Sequence, residues 1–165
     1  MEDKLTLLRI ELAHPVLRDE LKQLYIECNS NLSKNIRLRF AYVLRTAKEQ
    51  QELYDQGRTI PGNIVTNSKP GQSFHNYVLS FDIVLLYDKD GDGNFEEASW
   101  DIRRDMDNNK KADWLEVVSF FKAHGWIWGG DFKSFRDYPH FEKTFGFTWK
   151  QLSTMQKDDH GYVIF

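Results

Sequence analysis

The sequence predicts an α+β fold in which a small antiparallel sheet is flanked by helices and joined by long loops. Some segments repeat apolar side chains at helical spacing, whereas others alternate apolar and polar side chains as a strand does. The two kinds of segment do not alternate regularly along the chain, which favours α+β over α/β. The 165 residues, 41% hydrophobic and 15% aromatic, suit one domain with a substantial core. We therefore expect a single domain over residues 1–165.

The first predicted helix begins at Pro15, whose missing N–H is harmless in a first helical turn. Apolar residues then follow on one side at helical spacing: Val16, Leu17, Leu21, Leu24, Tyr25 and Cys28. Cys28 is the single cysteine, so the chain has neither an internal disulfide nor a multi-cysteine zinc site. The next segment, NIRLRFAY, alternates apolar and polar residues and predicts a strand with one buried face.

The segment TAKEQQELYDQG predicts a short helix between two end signals. Thr46 and Glu49 have the spacing of a capping box, and Gly57 is a typical C-terminal stop. Residues 58–74 are rich in Gly, Pro, Asn and Ser and predict a long loop. Long ordered loops in compact domains are often functional.

The second half of the chain begins with LSFDIVLLY, which predicts a central strand, and continues through a polar loop over residues 88–98. ADWLEVVSFFKAHG predicts an amphipathic helix that ends at Gly125. IWGGDF predicts a core segment with a turn, and PHFE a short strand nearby. A small helix is expected around residues 149–156.

Composition excludes several classes of protein. A net charge of −3 leaves no large basic field, so we expect no nucleic-acid partner. No run of 18 apolar residues is present, so we expect no membrane span. The first residues, MEDKLTLLRIELAHP, lack the features of a secretory signal, and we expect synthesis in the cytoplasm.

Asp82 lies inside the apolar run LSFDIVLLY, and a buried carboxylate is costly unless another group pairs with it. His75 and His140 are candidate partners through a shared cation, because catalytic zinc takes three protein ligands and leaves one position open. Asp137, three residues before His140, could take a proton from an attacking water. Spacing alone leaves alternatives open: His140 as an ordinary core or surface histidine, and Asp82 paired with an arginine.

Two longer stretches carry a family resemblance: RTAKEQQELYDQGRTIPGNIVTNSKPGQSFHNYVLSFDI and GWIWGGDFKSFRDYPHFE. They resemble the zinc peptidoglycan peptidases, a family that includes D-alanyl-D-alanine carboxypeptidases and phage-type L-alanyl-D-glutamate endopeptidases. The match extends over residues 45–142 and rests on several motifs in order. The resemblance implies this set: zinc ligands His75, Asp82 and His140; catalytic residues Asp137 and Arg45; substrate-binding residues Ser73 and Gln50.

The implied role of Arg45 agrees with its chemistry, since a guanidinium can stabilise a developing oxyanion or hold a substrate carboxylate. A surface arginine at a helix start is the alternative. The chain departs from the family pattern at Val78 and Ser80, where the family usually has Gly and Ala. Val78 is the larger change and bears on the loop conformation after His75, not on the ligand types.

The loop DKDGDGNFEEAS resembles the start of an EF-hand, in which oxygen ligands recur at alternate positions. The predicted calcium ligands are Asp88, Asp90, Asp92, Asn94 and Glu96. Ser99 stands at position twelve, where a bidentate glutamate is usual, and a strand precedes the loop instead of a helix. A solvated acidic turn is therefore the alternative to calcium binding.

We expect zinc-dependent hydrolysis of a stem-peptide bond in bacterial peptidoglycan, with L-alanyl-D-glutamate endopeptidase activity favoured over D-alanyl-D-alanine carboxypeptidase activity. The alternative from another class is a non-catalytic calcium-binding or cell-wall-binding module on the same scaffold. Zinc is the expected cofactor, with calcium as a second candidate. We expect a monomer that acts on the cell wall, in the periplasm or outside the cell, with a phage genome as one origin of the gene.

Overall fold

The computed structural model describes residues 3–165 and confirms the predicted α+β class. The helices are α1 (Lys4–Ile10), α2 (Pro15–Asn31), α3 (Ala47–Asp55), α4 (Asp113–Ala123) and α5 (Trp149–Thr154). The strands are β1 (Ile36–Tyr42), β2 (Ser80–Tyr87), β3 (Glu97–Ser99), β4 (Ile127–Trp128) and β5 (His140–Glu142). Two short 3₁₀ helices cover Phe74–Tyr77 and Gly129–Asp131.

All strand pairs in the sheet are antiparallel, and β2 is the central strand. One edge of β2 pairs with β1. The other edge is shared: β5 pairs with its first residues and β3 with its last ones. β4 lies outside β5, which gives the order β1-β2-β5-β4. This topology places the start of β2 next to β5.

The core lies between the sheet and the helices α2 and α4, and aromatic rings fill its centre. Phe81 of β2 stacks on Phe40 at a centroid distance of 4.1 Å and on Phe141 at 5.3 Å. Such ring pairs stabilise the folded state beyond the contribution that comes from burying their apolar surface. Cys28 lies in this core, where burial raises its pKa to about 12, so its thiol stays protonated and packs as an apolar side chain.

Several elements differ from the sequence prediction. Helix α1 was not predicted; Asp3 caps it by accepting hydrogen bonds from the backbone N–H and the hydroxyl of Thr6. Strand β3 occupies the end of the segment predicted as loop 88–98, because residues 97–99 pair with the last residues of β2. Strand β4 and the two 3₁₀ helices were not predicted either, because residues 127–132 were expected only as a core segment with a turn. The remaining elements agree with prediction to within about two residues, as assignments at element ends commonly do.

None of the helices within residues 3–165 has the length and apolar character needed to cross a membrane.

Candidate metal centre

The side chains of His75, Asp82 and His140 meet at one point. His75 Nε2 lies 3.0 Å from Asp82 Oδ1 and 3.1 Å from His140 Nδ1. His140 Nδ1 lies 3.2 Å from Asp82 Oδ1. Tetrahedral zinc with bonds of about 2.0–2.2 Å requires its ligand atoms to lie roughly 3.3 Å apart. The three atoms therefore have the spacing of a zinc site after small outward shifts.

The sheet and a short helical turn position these three ligands. Asp82 on β2 stands directly opposite His140 on β5 in the strand register. His75 comes from the 3₁₀ helix Phe74–Tyr77, whose first turn Ser73 caps by accepting a hydrogen bond from the His75 backbone N–H. Val78 then adopts a left-handed backbone, φ 53°, and turns the chain into β2. Glycine adopts this conformation most readily, and the family usually has glycine here.

The outer nitrogens of the two histidines determine which ring atoms face the centre. His75 Nδ1 lies 2.8 Å from the carbonyl oxygen of Val43, which can only accept a hydrogen bond. His140 Nε2 lies 2.9 Å from a carboxylate oxygen of Glu142. Both outer nitrogens therefore carry a proton, and in the neutral rings the inner nitrogens present lone pairs towards each other and towards Asp82. Groups this close together are held by a cation between them, either a proton or a metal ion, and this donor set fits zinc.

The pKa values of these groups agree with a centre that favours positive charge. Burial alone would lower the pKa of His140, but its hydrogen bonds with Asp82 and Glu142 raise that pKa to about 10. Burial alone would raise the pKa of Asp82, but His75 and His140 hold it far below its usual range. The Asp82 carboxylate is consequently charged at neutral pH and available as a ligand.

Asp137 lies in a tight turn that leads into β5. The His140 backbone N–H donates to the Asp137 carbonyl oxygen, and the Asp137 N–H donates to the Gly129 carbonyl oxygen. The chain thus bends between Asp137 and His140. A Cβ on Gly129 would overlap the Asp137 carbonyl, so only glycine allows this close approach. Burial, followed by the charge of Asp82, raises the pKa of Asp137.

Arg45 and Gln50 form a second layer beside Asp82. One terminal nitrogen of Arg45 donates to Asp82 Oδ2 at 3.4 Å, and the other donates to Gln50 Oε1 at 3.1 Å. Gln50 is fully buried and donates through Nε2 to the backbone oxygen of Ser68 at 2.6 Å. Gln50 therefore connects Arg45 with the long loop after α3. The substrate-binding roles of Gln50 and Ser73 stay predictions.

A cavity of about 250 Å³ opens over the centre. Its lining includes His75, His140, Asp137 and Arg45. Residues 66–68 and 72–74 line one side, and residues 132, 134 and 135 line the other. A second open cavity, of about 490 Å³, lies against Arg45 and Asp82 and extends along α3. Open space therefore flanks the Arg45–Asp82 contact on two sides, which suits an extended ligand.

The contact between Glu142 and the His140 ring was not predicted from the sequence. The signal that could have found it is the pattern His-x-Glu in a strand, because residues two apart share a face of the sheet. The Glu142 side chain is only 13% exposed and contacts the ring of His140.

The aspartate-rich loop brings together side-chain oxygens of Asp88, Asp90, Asp92 and Glu96 within 4.8 Å of one another. Asp88 is buried and accepts hydrogen bonds from the backbone N–H groups of Gly91 and Gly93. A second acidic group, Asp105, Asp107 and Asp113, has the same spacing. Asn94 donates from its side chain to Asp92, and its role as a calcium ligand stays a prediction.

The chain is similar in sequence and in fold to known peptidoglycan peptidases. A family model described as D-alanyl-D-alanine carboxypeptidase matches residues 66–143. The chain is 43% identical over 129 residues to the peptidoglycan L-alanyl-D-glutamate endopeptidase CwlK of Bacillus subtilis, covering 78% of this chain and 72% of that protein. The crystal structure of the L-Ala D-Glu endopeptidase ChiX from Serratia marcescens superposes with a TM-score of 0.55 at 20% identity, covering 86% of this chain and 88% of that one.

Proposed function

Because the chain belongs to the zinc peptidoglycan peptidase family of D-alanyl-D-alanine carboxypeptidases and L-alanyl-D-glutamate endopeptidases, we propose that it cleaves the L-alanyl–D-glutamate bond of stem peptides. His75, Asp82 and His140 would hold the zinc ion. The observation that carries this proposal is the convergence of their three lone-pair donors below a cavity that Asp137 also lines.

A zinc ion held there would supply Lewis-acid activation of the water and of the scissile carbonyl. Asp137 is the proton carrier: its carboxylate takes a proton from the attacking water and returns it to the leaving amine. The raised pKa of Asp137 suits this task, because a base whose pKa lies nearer neutrality both accepts and returns a proton readily.

Arg45 is the cationic group that faces developing negative charge. Its contacts with Gln50 and Asp82 fix the guanidinium before substrate arrives, so little reorganisation is needed during reaction. The guanidinium can hydrogen-bond either the carbonyl oxygen as it gains charge or a carboxylate of the stem peptide.

The space on both sides of Arg45 supports an endopeptidase over a carboxypeptidase. An endopeptidase must accommodate chain on each side of the bond that it cuts, whereas removal of a terminal D-alanine needs room for a single residue on one side. Cavities of about 250 and 490 Å³ meet at Arg45, and both are open to solvent.

Mass analysis of fragments from purified peptidoglycan tests the proposal. The wild type should release peptides with D-glutamate at the amino terminus. EDTA treatment, His140→Ala and Asp137→Asn should each reduce release at least about 100-fold, whereas His160→Ala, which changes an exposed histidine, should not. Release of free D-alanine alone would assign the carboxypeptidase activity. Zinc binding without turnover on any wall peptide would favour the non-catalytic module.

Calcium binding by residues 88–96 is a separate part of the proposal, supported by the close spacing of four acidic side chains. Calorimetric titration of the zinc-loaded protein with calcium tests it. Asp90→Asn should weaken binding, and Asp105→Asn in the second acidic group should not. Calcium binding that is lost only in Asp105→Asn would contradict the assignment.

We also propose that one chain suffices and that it acts on the cell wall. All the groups assigned to the reaction come from a single chain. Light scattering of the zinc-loaded protein should give the mass of a monomer, 19.6 kDa.

A further inference from the structure

We propose that Glu142 is a positioning residue that orients His140 and fixes its tautomer so that Nδ1 is free to bind the metal. This inference rests on the zinc site of the proposed function. The Glu142 side chain contacts the proposed zinc ligand His140 and takes no direct part in the proposed peptide hydrolysis.

The strand geometry explains why Glu142 reaches His140. Residues two apart in a strand project from the same face, so His140 and Glu142 lie on one face of β5 while Phe141 enters the core on the other. On β2, Asp82 stands opposite His140, and Ser80 stands opposite Glu142. One rung of the ladder thus supplies two proposed metal ligands, and the second rung from it, on the same face, supplies Glu142.

The contact between the two side chains has the geometry of a charge-assisted hydrogen bond. Glu142 Oε2 lies 2.9 Å from His140 Nε2, and the two side chains are 13% and 7% exposed. A carboxylate can only accept, so Nε2 carries a proton, and the ring that binds a metal ion in place of its second proton then has its lone pair on Nδ1. His140 Nδ1 is the atom that approaches His75 and Asp82.

His75 shows why His140 needs such a partner. The ring of His75 is fixed by a backbone carbonyl, that of Val43, which is present whatever the side chains are. The outer nitrogen of His140 has Glu142 as its hydrogen-bond partner among residues 3–165. Outer partners of metal-bound histidines typically change metal affinity by about 10- to 100-fold.

Zinc affinity of purified protein, measured by competition with a chromophoric chelator, tests the inference. Glu142→Ala should weaken zinc binding about 10- to 100-fold, and Glu142→Gln, whose amide oxygen still accepts from His140 Nε2, should weaken it less than Glu142→Ala. Glu97→Ala, which removes an ion-paired glutamate on β3, is the matched control and should bind zinc as the wild type does.

A second readout does not depend on affinity. In the zinc-loaded wild type, long-range ¹H–¹⁵N NMR should find the His140 proton on Nε2, at a downfield shift that moves upfield in Glu142→Gln. If Glu142→Ala does not fold, this comparison decides the question. Zinc affinity within twofold of wild type in a folded Glu142→Ala, or an unchanged Nε2 proton in Glu142→Gln, would overturn the inference.

The experiment also separates the two proposals. If the wild type itself fails to bind zinc, the proposed function is wrong. If the wild type binds zinc and the Glu142 variants bind it equally well, only the role of Glu142 is wrong. A change in KM for peptidoglycan with unchanged zinc affinity would assign Glu142 to substrate binding and would also overturn the inference.

Discussion

Gly129 and Asp137 approach each other so closely that a Cβ on Gly129 would overlap the Asp137 carbonyl oxygen. The same Cβ would lie 3.0 Å from the Cβ of His140. One glycine therefore allows the turn that carries both the proposed proton carrier, Asp137, and the proposed zinc ligand, His140, to pack against the end of β4.

We predict that Gly129→Ala lowers kcat on peptidoglycan about 10- to 100-fold, because the turn must move and displace Asp137. The control is Gly146→Ala, where an added Cβ meets no atom within 4 Å but the positive φ strains the backbone. That variant should lose stability, measured by urea denaturation, and keep its kcat. Equal losses of activity in both variants would indicate a general effect on folding.

Zinc should stabilise the folded protein by mass action, because the three ligands are brought together only in the folded chain. At zinc concentrations about 1,000 times the dissociation constant, the expected gain is roughly 4 kcal/mol in the free energy of unfolding. Thermal unfolding with and without EDTA measures it. His140→Ala should remove the zinc-dependent rise in Tm, and His160→Ala should retain it.

The ion pair between Asp3 and Arg39 should make stability depend on pH. Burial would raise the pKa of Asp3, but hydrogen bonds from Arg39 and Thr6 lower it below its ordinary value of 3.8. The folded state then binds fewer protons than the unfolded state, so the contribution is complete well above pH 3.8 and is lost as pH falls below it.

Asp3→Asn should therefore reduce the free energy of unfolding by about 1–3 kcal/mol at pH 7 and by less at pH 3. Urea denaturation of the two proteins at both pH values measures the difference. A difference that stays constant with pH would show that packing, and not the charge of Asp3, is responsible.

Val78 holds a left-handed backbone, φ 53°, that costs a β-branched residue about 1–3 kcal/mol. Val78→Gly relieves this strain but removes a buried side chain worth roughly 1.5–3 kcal/mol. The two effects should nearly cancel, and stability should change by less than about 1.5 kcal/mol. Val84→Gly, in the centre of β2, has no strain to relieve and should cost distinctly more. Equal losses of stability in Val78→Gly and Val84→Gly would contradict the backbone strain at Val78.

The predictable part of the fold was the part with periodic or capped sequence. The alternating residues of β1, the apolar run of β2 and the Thr46–Glu49 capping box each indicated their element, and the structure has all three. Helix α1 was not predicted because it is short and its capping residue, Asp3, is held by a distant partner, Arg39 on β1. Strand β3 was not predicted because its extended conformation depends on pairing with β2, and the local sequence does not show that pairing.

The candidate site was likewise predictable from the sequence only in part. The position of Asp82 inside an apolar run suggested His75, His140 and Asp137 as candidates, and the family resemblance implied the same residues. The fold brings His75, His140 and Asp137 to one cavity. The His-x-Glu pattern could place Glu142 on the same strand face as His140, but the register between β2 and β5 is needed to show that this face points towards Asp82. The proximity of Gly129 to Asp137 is equally a property of the packed chain.

Anomalous diffraction at the zinc edge, from crystals grown with zinc, tests the central claim most directly. We predict an anomalous peak about 2.0–2.2 Å from His75 Nε2, Asp82 Oδ1 and His140 Nδ1 together. Zinc bound elsewhere, with no anomalous density between those three atoms, would contradict it.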